Sequence, residues 1–109
     1  MDKNYYPTYW SGCNPIHAVR DWSYVRSIIR ARKNGVKIPP IVIDGHRHNG
    51  CILNGTHRCA VNDLILMMGM DESLLIEYVT LDSIISDYDG LKEAVENGDY
   101  EEIDNILDR

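Results

Sequence analysis

Three of the chain's four histidines and two of its three cysteines fall within residues 44–61, DGHRHNGCILNGTHRCAV. His46, His48, Cys51, His57 and Cys59 are the ligand types of a zinc site. Cys59, near a helix start, is the natural choice for a reactive thiol. Asn54, Gly55, Thr56, His57 and Arg58, a glycine turn running into a helix, have the form of a phosphate-binding turn. Three chemistries compete for one stretch.

Spacing weighs against the first two. If Cys51 to Asn54 is a strand, its rise of about 3.3 Å per residue puts the turn bearing His46 and His48 roughly 13 Å from the helix start. Within the helix, His57 and Cys59 point about 200° apart. No metal site is expected, and His46 and His48 read as an exposed polar turn. A nucleophilic cysteine at the helix N-terminus would have to stand at Thr56, whereas Cys59 lies a turn inside, where burial keeps a thiol inert.

The phosphate reading needs only what is present. Gly55 lets the backbone approach an anion, and the first N–H groups of the helix point at it. Thr56 adds a hydroxyl that can serve as cap and ligand, His57 an imidazole, and Arg58 a fork that matches phosphate oxygens. The competing reading is that Thr56 only caps the helix and Arg58 pairs with a local acid.

The elements around this stretch must position it. Residues 1–18 form an irregular arm, broken by Pro7, Gly12 and Pro15, with tyrosines and Trp10 to lay across the domain. Asp21 caps a helix in which Trp22, Val25, Ile28, Ile29 and Arg32 share a side, and Gly35 ends it. Pro39 and Pro40 exclude helix before the buried strand Ile41-Val42-Ile43. GHRHNG turns the chain, Cys51 to Leu53 return it, and a central helix from Thr56 buries Ala60, Val61, Leu64, Ile65, Met67 and Met68 before closing near Gly69. Residues 74–81 read as a further strand. Two acidic helices follow, LKEAVEN and DYEEIDNIL, the second with Tyr100, Ile103 and Leu107 on one face. These elements predict a compact α/β (α+β) domain over residues 1–109: a small mixed sheet, a hairpin leading into a central buried helix, and helices outside.

Length and composition suit one ordinary globular domain. The N-terminus lacks the apolar core of a signal peptide, no run is long enough to cross a bilayer, and three cysteines do not make a disulfide framework. A cytoplasmic protein without a membrane partner is expected. Residues 1–81 carry nine Lys/Arg against seven Asp/Glu, and residues 82–109 two against ten. The acidic tail works against nucleic-acid binding and reads either as a solvated surface or as a docking site for a protein partner.

The order IPPIVIDG, hairpin, ILNGTHRCAV and a long apolar helix ending in MGM resembles the ParB/sulfiredoxin-like superfamily, in which a PIVV strand leads through a hairpin to DGxHRxxA and a helix closing at LG. The match covers about residues 36–80, and NPIHAVRDWSYVRSIIRARKNG is similar to the NPxxxR box and helix of ParB N-terminal domains. The resemblance implies a free-standing minimal member whose Asn54, Gly55, Thr56, His57 and Arg58 hold the phosphates of a nucleotide, ATP/ADP or CTP, over a motif-bearing core at 36–81. Asn54 stands where many members have Asp. The sulfiredoxin catalytic cysteine falls at Thr56, so that reductase activity is not expected, and the ParB double-basic pair falls at His57 and Arg58. The family's arginine after NP lies one residue closer than Arg20 does to Asn14, so Arg20 is not carried over.

Two further roles follow on that footing. A nucleotide-dependent phosphotransferase or nucleotide hydrolase would use Arg58 for charge and His57 as donor or acid/base group, with Mg²⁺ as the usual partner of such chemistry. Asp44 and Asp63 are the nearest carboxylates in sequence for that metal. The alternatives are a ParB-like DNA-directed regulator or nuclease, for which no basic recognition helix is found in the tail, and a non-catalytic interaction module.

Overall fold

The computed structural model describes residues 4–45 and 50–108, so His46, His48 and most of the turn that carries them lie outside the described residues. The fold is mixed α/β of the α+β class. Its four-stranded sheet has the order β1 (Asn14–Pro15), β3 (Cys51–Asn54), β2 (Ile41–Asp44), β4 (Tyr78–Thr80). The hairpin pair β2 and β3 is antiparallel, while β1 joins β3, and β4 joins β2, in parallel.

Every residue of β2 is buried because both faces of the sheet are covered. Ile41, Ile43 and Ile52 point to one core with Val25, Ile28, Val61 and Ile65, from helices α1 (Trp22–Lys33) and α2 (Thr56–Met67). Val42 and Leu53 point to a second core with Leu81, Leu91, Ala94, Ile103 and Ile106, from α3 (Leu81–Ile84), α4 (Leu91–Glu96) and α5 (Tyr100–Leu107). The acidic tail is thus an amphipathic layer on the sheet. Only its outer side is solvated.

Local chemistry sets the helix limits. Asp21 caps α1 by accepting from the N–H groups of Ser23 and Tyr24. Both long helices end in the same way. Gly35 and Gly69 take positive φ, and the next residue, Val36 or Met70, donates back to the carbonyl of Ala31 or Ile65.

Two polar side chains buried in α2 tie distant segments to it. Asn62 exchanges two hydrogen bonds with the backbone of Ile76, at 2.9 and 2.8 Å. Asp63 accepts from the Tyr5 hydroxyl at 2.6 Å and from the N–H groups of Tyr9 and Trp10 at 3.2 and 2.7 Å. That clasp lays the N-terminal arm across the domain.

Four expectations need correction. Asn14 and Pro15 are not part of a wholly irregular arm but add a short edge strand, the kind of strand in which a proline is tolerated. The strand expected over 74–81 is limited to Tyr78–Thr80, because Glu72–Leu74 forms a 3-10 turn and Leu81 opens a helix. Met67 and Met68 are exposed at the end of α2, past the edge of the core. In α5 the buried pair is Ile103 and Ile106, with Tyr100 and Leu107 at the margins.

Candidate functional site

The hairpin delivers the chain to the start of α2 with a change of register. Val42 faces Asn54 and Ile43 faces Ile52, so the ladder slips beside Leu53. Such a slip re-aims the residues that follow. Here buried Asn54 ends the strand with its amide on Asp104 and Asp108 of α5. Gly55 then takes φ +108°, and a Cβ there would lie 3.2 Å from the Arg58 guanidinium. The φ favours glycine, and a Cβ would in addition press the guanidinium aside.

Gly55 is the N-cap residue of α2, and among the described residues no side chain caps this helix. The expectation that Thr56 is the cap is corrected: Thr56 is already the first helical residue and is buried. The first intrahelical bond is donated by Cys59 to the Gly55 carbonyl, so the N–H groups of Thr56, His57 and Arg58 have no acceptor within the helix.

Arg58 reaches back beneath this opening. One guanidinium nitrogen donates to the carbonyls of Pro39 and Pro40, at 3.0 and 2.6 Å, and the other donates to Oδ1 of Asn54. These acceptors are uncharged. Burial lowers the Arg58 pKa, and the Asp108 and Asp104 carboxylates act against that shift from α5. The local-acid reading of Arg58 therefore survives only as a longer-range attraction to residues 46 and 50 positions away.

His57 is committed differently from what its type suggests. Its Nε2 accepts from the backbone N–H of Arg20 at 3.1 Å and of Asp21 at 3.2 Å. The neutral ring then carries its proton on Nδ1. Burial lowers the His57 pKa, and the neighbouring His17, Arg20 and Arg58 lower it further against Asp21. The rings of His17 and Tyr24 lie 5.9 and 5.5 Å from that of His57.

The five residues Asn54 to Arg58 line one cavity of about 240 Å³, together with His17, Arg20 and Tyr24. Asp104 and Asp108 close its far side. A second cavity of about 310 Å³ shares Tyr24, Asn54, Arg58 and Asp108 with the first and continues over Pro39, Pro40, Val42, Val79, Ile84, Tyr88 and Leu107. One end of the combined cleft is polar with backbone donors, and the other is aromatic and apolar.

The two carboxylates picked from sequence proximity are elsewhere. Asp63 is fully buried in its clasp on the arm, and Asp44 is buried at the opposite end of the hairpin from Asn54, paired in register with Cys51. Neither lines the cleft. The carboxylates at the site are Asp104 and Asp108, to which the Asn54 amide donates at 3.0 and 3.3 Å. Their i, i+4 spacing, next to the buried Ile103 and Ile106, was the available signal: it puts both acids on one flank of a docked helix. Cys59 is fully buried, and burial pushes its thiol up to about 12, so it is not a nucleophile at neutral pH. Among the described residues, no three His, Cys, Asp or Glu side chains are grouped to hold a metal ion. No helix among them is long and apolar enough to cross a membrane.

No protein-family model, curated protein or solved structure matches this chain.

Proposed function

We propose that the chain is a nucleotide-binding protein of ParB/sulfiredoxin-like type, holding phosphate at the start of α2. The observation that carries this reading is the uncapped opening of α2 behind left-handed Gly55, with the Arg58 charge beneath it. Helix N-termini with free N–H groups favour anions, and a low-dielectric floor strengthens the attraction. The adjoining aromatic cavity supports a nucleotide over inorganic phosphate, since Tyr24, Tyr88 and the apolar lining offer a base or sugar a surface to cover.

In this reading the N–H groups of Thr56, His57 and Arg58 take the phosphate oxygens, Nδ1–H of His57 adds a donor, and Asn54 orients the guanidinium. ATP, ADP and CTP are the ligands to try first, with Mg²⁺ as partner. Phosphoryl transfer or hydrolysis would need a base, and the Nε2 of His57 is engaged by two backbone donors. The geometry therefore favours binding over turnover. The acidic layer over the cleft speaks against a DNA-directed role.

The test is the thermal midpoint with each nucleoside di- and triphosphate, with and without Mg²⁺. A ligand at about 100 times its dissociation constant stabilises a fold by roughly 2.7 kcal/mol. The comparison variant is Arg58→Lys, which keeps the charge and loses the fork. A shift in the wild type that shrinks in Arg58→Lys supports the reading. No shift with any nucleotide overturns it.

A further inference from the structure

Asp104 and Asp108 stand in an unfavourable place for the helix that carries them. They are four residues apart on α5, in its last turn and at its C-cap, and that turn has no basic residue. Like charges at this spacing repel, and the negative end of a helix disfavours carboxylates. Across the cleft, the first turn of α2 has no acidic residue. The Asn54 amide donates to both carboxylates while its oxygen accepts from Arg58, so one side chain joins the acidic pair to the half-buried cation.

From this arrangement we propose that α5 is an internal competitor for the anion site: Asp104 and Asp108 supply the negative charge that an incoming phosphate would otherwise supply, and so hold the site at low affinity. The inference rests on the proposed anion site and adds its regulation. Any change that neutralises or withdraws this flank of α5 raises affinity. The apolar packing of Ile103 and Ile106 holds the flank in place in the resting protein.

The experiment is calorimetric binding of inorganic tripolyphosphate, in chelator and at low salt, to the full chain and to Asp104→Asn/Asp108→Asn. Asparagine keeps the shape of each side chain and an oxygen for the Asn54 amide, and a melting curve checks the fold of each variant. The expected result is a gain in affinity of about tenfold or more, the scale of removing two unit charges from a partly desolvated cleft. Asp108→Asn alone, at the exposed end of the helix, should give part of that gain if the double variant does not fold. Unchanged affinity, with Arg58→Lys weakening binding, leaves the anion site standing and overturns the competitor. A loss of affinity on neutralisation also overturns it. Binding by neither protein overturns both readings.

Discussion

The starts of α1 and α2 meet at one imidazole and solve the same problem in opposite ways. Each twelve-residue helix begins with N–H groups that lack intrahelical acceptors. At α1 the chain supplies its own anion: the Asp21 carboxylate accepts from Ser23 and Tyr24 N–H at 2.9 and 3.2 Å, and the Ser23 hydroxyl bond is the first of the causes that hold its pKa below the ordinary value. At α2 a left-handed glycine stands in that position and supplies nothing. His57 even serves the other helix, closing two N–H groups ahead of α1 from its place on α2. A helix start closed by a tethered carboxylate has no use for a ligand. At the start entered through glycine, the first N–H groups have no acceptor within the helix, and the half-buried Arg58 guanidinium folds back against Gly55.

The largest effect should come from closing the open start. Gly55→Ala places a Cβ against the Arg58 guanidinium in a backbone conformation that L residues rarely take. It should destabilise the fold by about 1–3 kcal/mol, the range for a residue held in strained backbone, and abolish any nucleotide-induced rise in melting midpoint. Urea titration reads the first and thermal shift the second. An alanine variant as stable as the parent would mean that Gly55 is not needed for this geometry.

Opening the closed start is the reciprocal change. Asp21→Ala removes the cap of α1 and should lower the midpoint less than Gly55→Ala, since the lost bonds are solvent-exposed. It should leave the nucleotide shift in place. If the shift disappears with Asp21, the two starts form one site and the contrast between them fails.

Much of this contrast was readable along the chain, because it rests on local rules. Asp21 before an amphipathic run, Pro39-Pro40 before Ile41-Val42-Ile43, and Gly35 and Gly69 after the helices each act within a few residues. Asn54 to Arg58 line one cavity because strand, turn and helix start are contiguous. What escaped depends on partners far off. Asp63 looks available until the arm brings Tyr5, Tyr9 and Trp10 onto it across more than fifty residues. Asn14 and Pro15 become a strand only because β3 offers an edge. The tail reads as solvated charge by composition, yet its apolar residues dock it on the sheet and carry Asp104 and Asp108 to Asn54. The cap shifted by one residue, from Thr56 to Gly55, because threonine is the commoner cap and backbone φ is not written in residue type.

The smallest effect is a pH dependence that tests whether His57 joins the two starts. The imidazole pKa lies below its ordinary 6.5, chiefly through burial and then through His17, and protonation would turn the Nε2 acceptor into a donor facing two N–H groups. The unfolded chain therefore binds this proton more readily than the folded one. The His57 contribution is complete above about pH 6.5 and is lost as pH falls through the lower folded value. In His57→Gln nothing titrates at this position, while an amide oxygen can still accept from one of the two N–H groups. Urea midpoints measured from pH 7.5 to 5 should fall more steeply for the parent than for the variant. Parent and variant differ only at this position, so the difference belongs to residue 57. Superimposable slopes would show that the ring does not bridge the helices in solution, and the Nδ1 proton assigned to ligand binding would lose its structural basis with it.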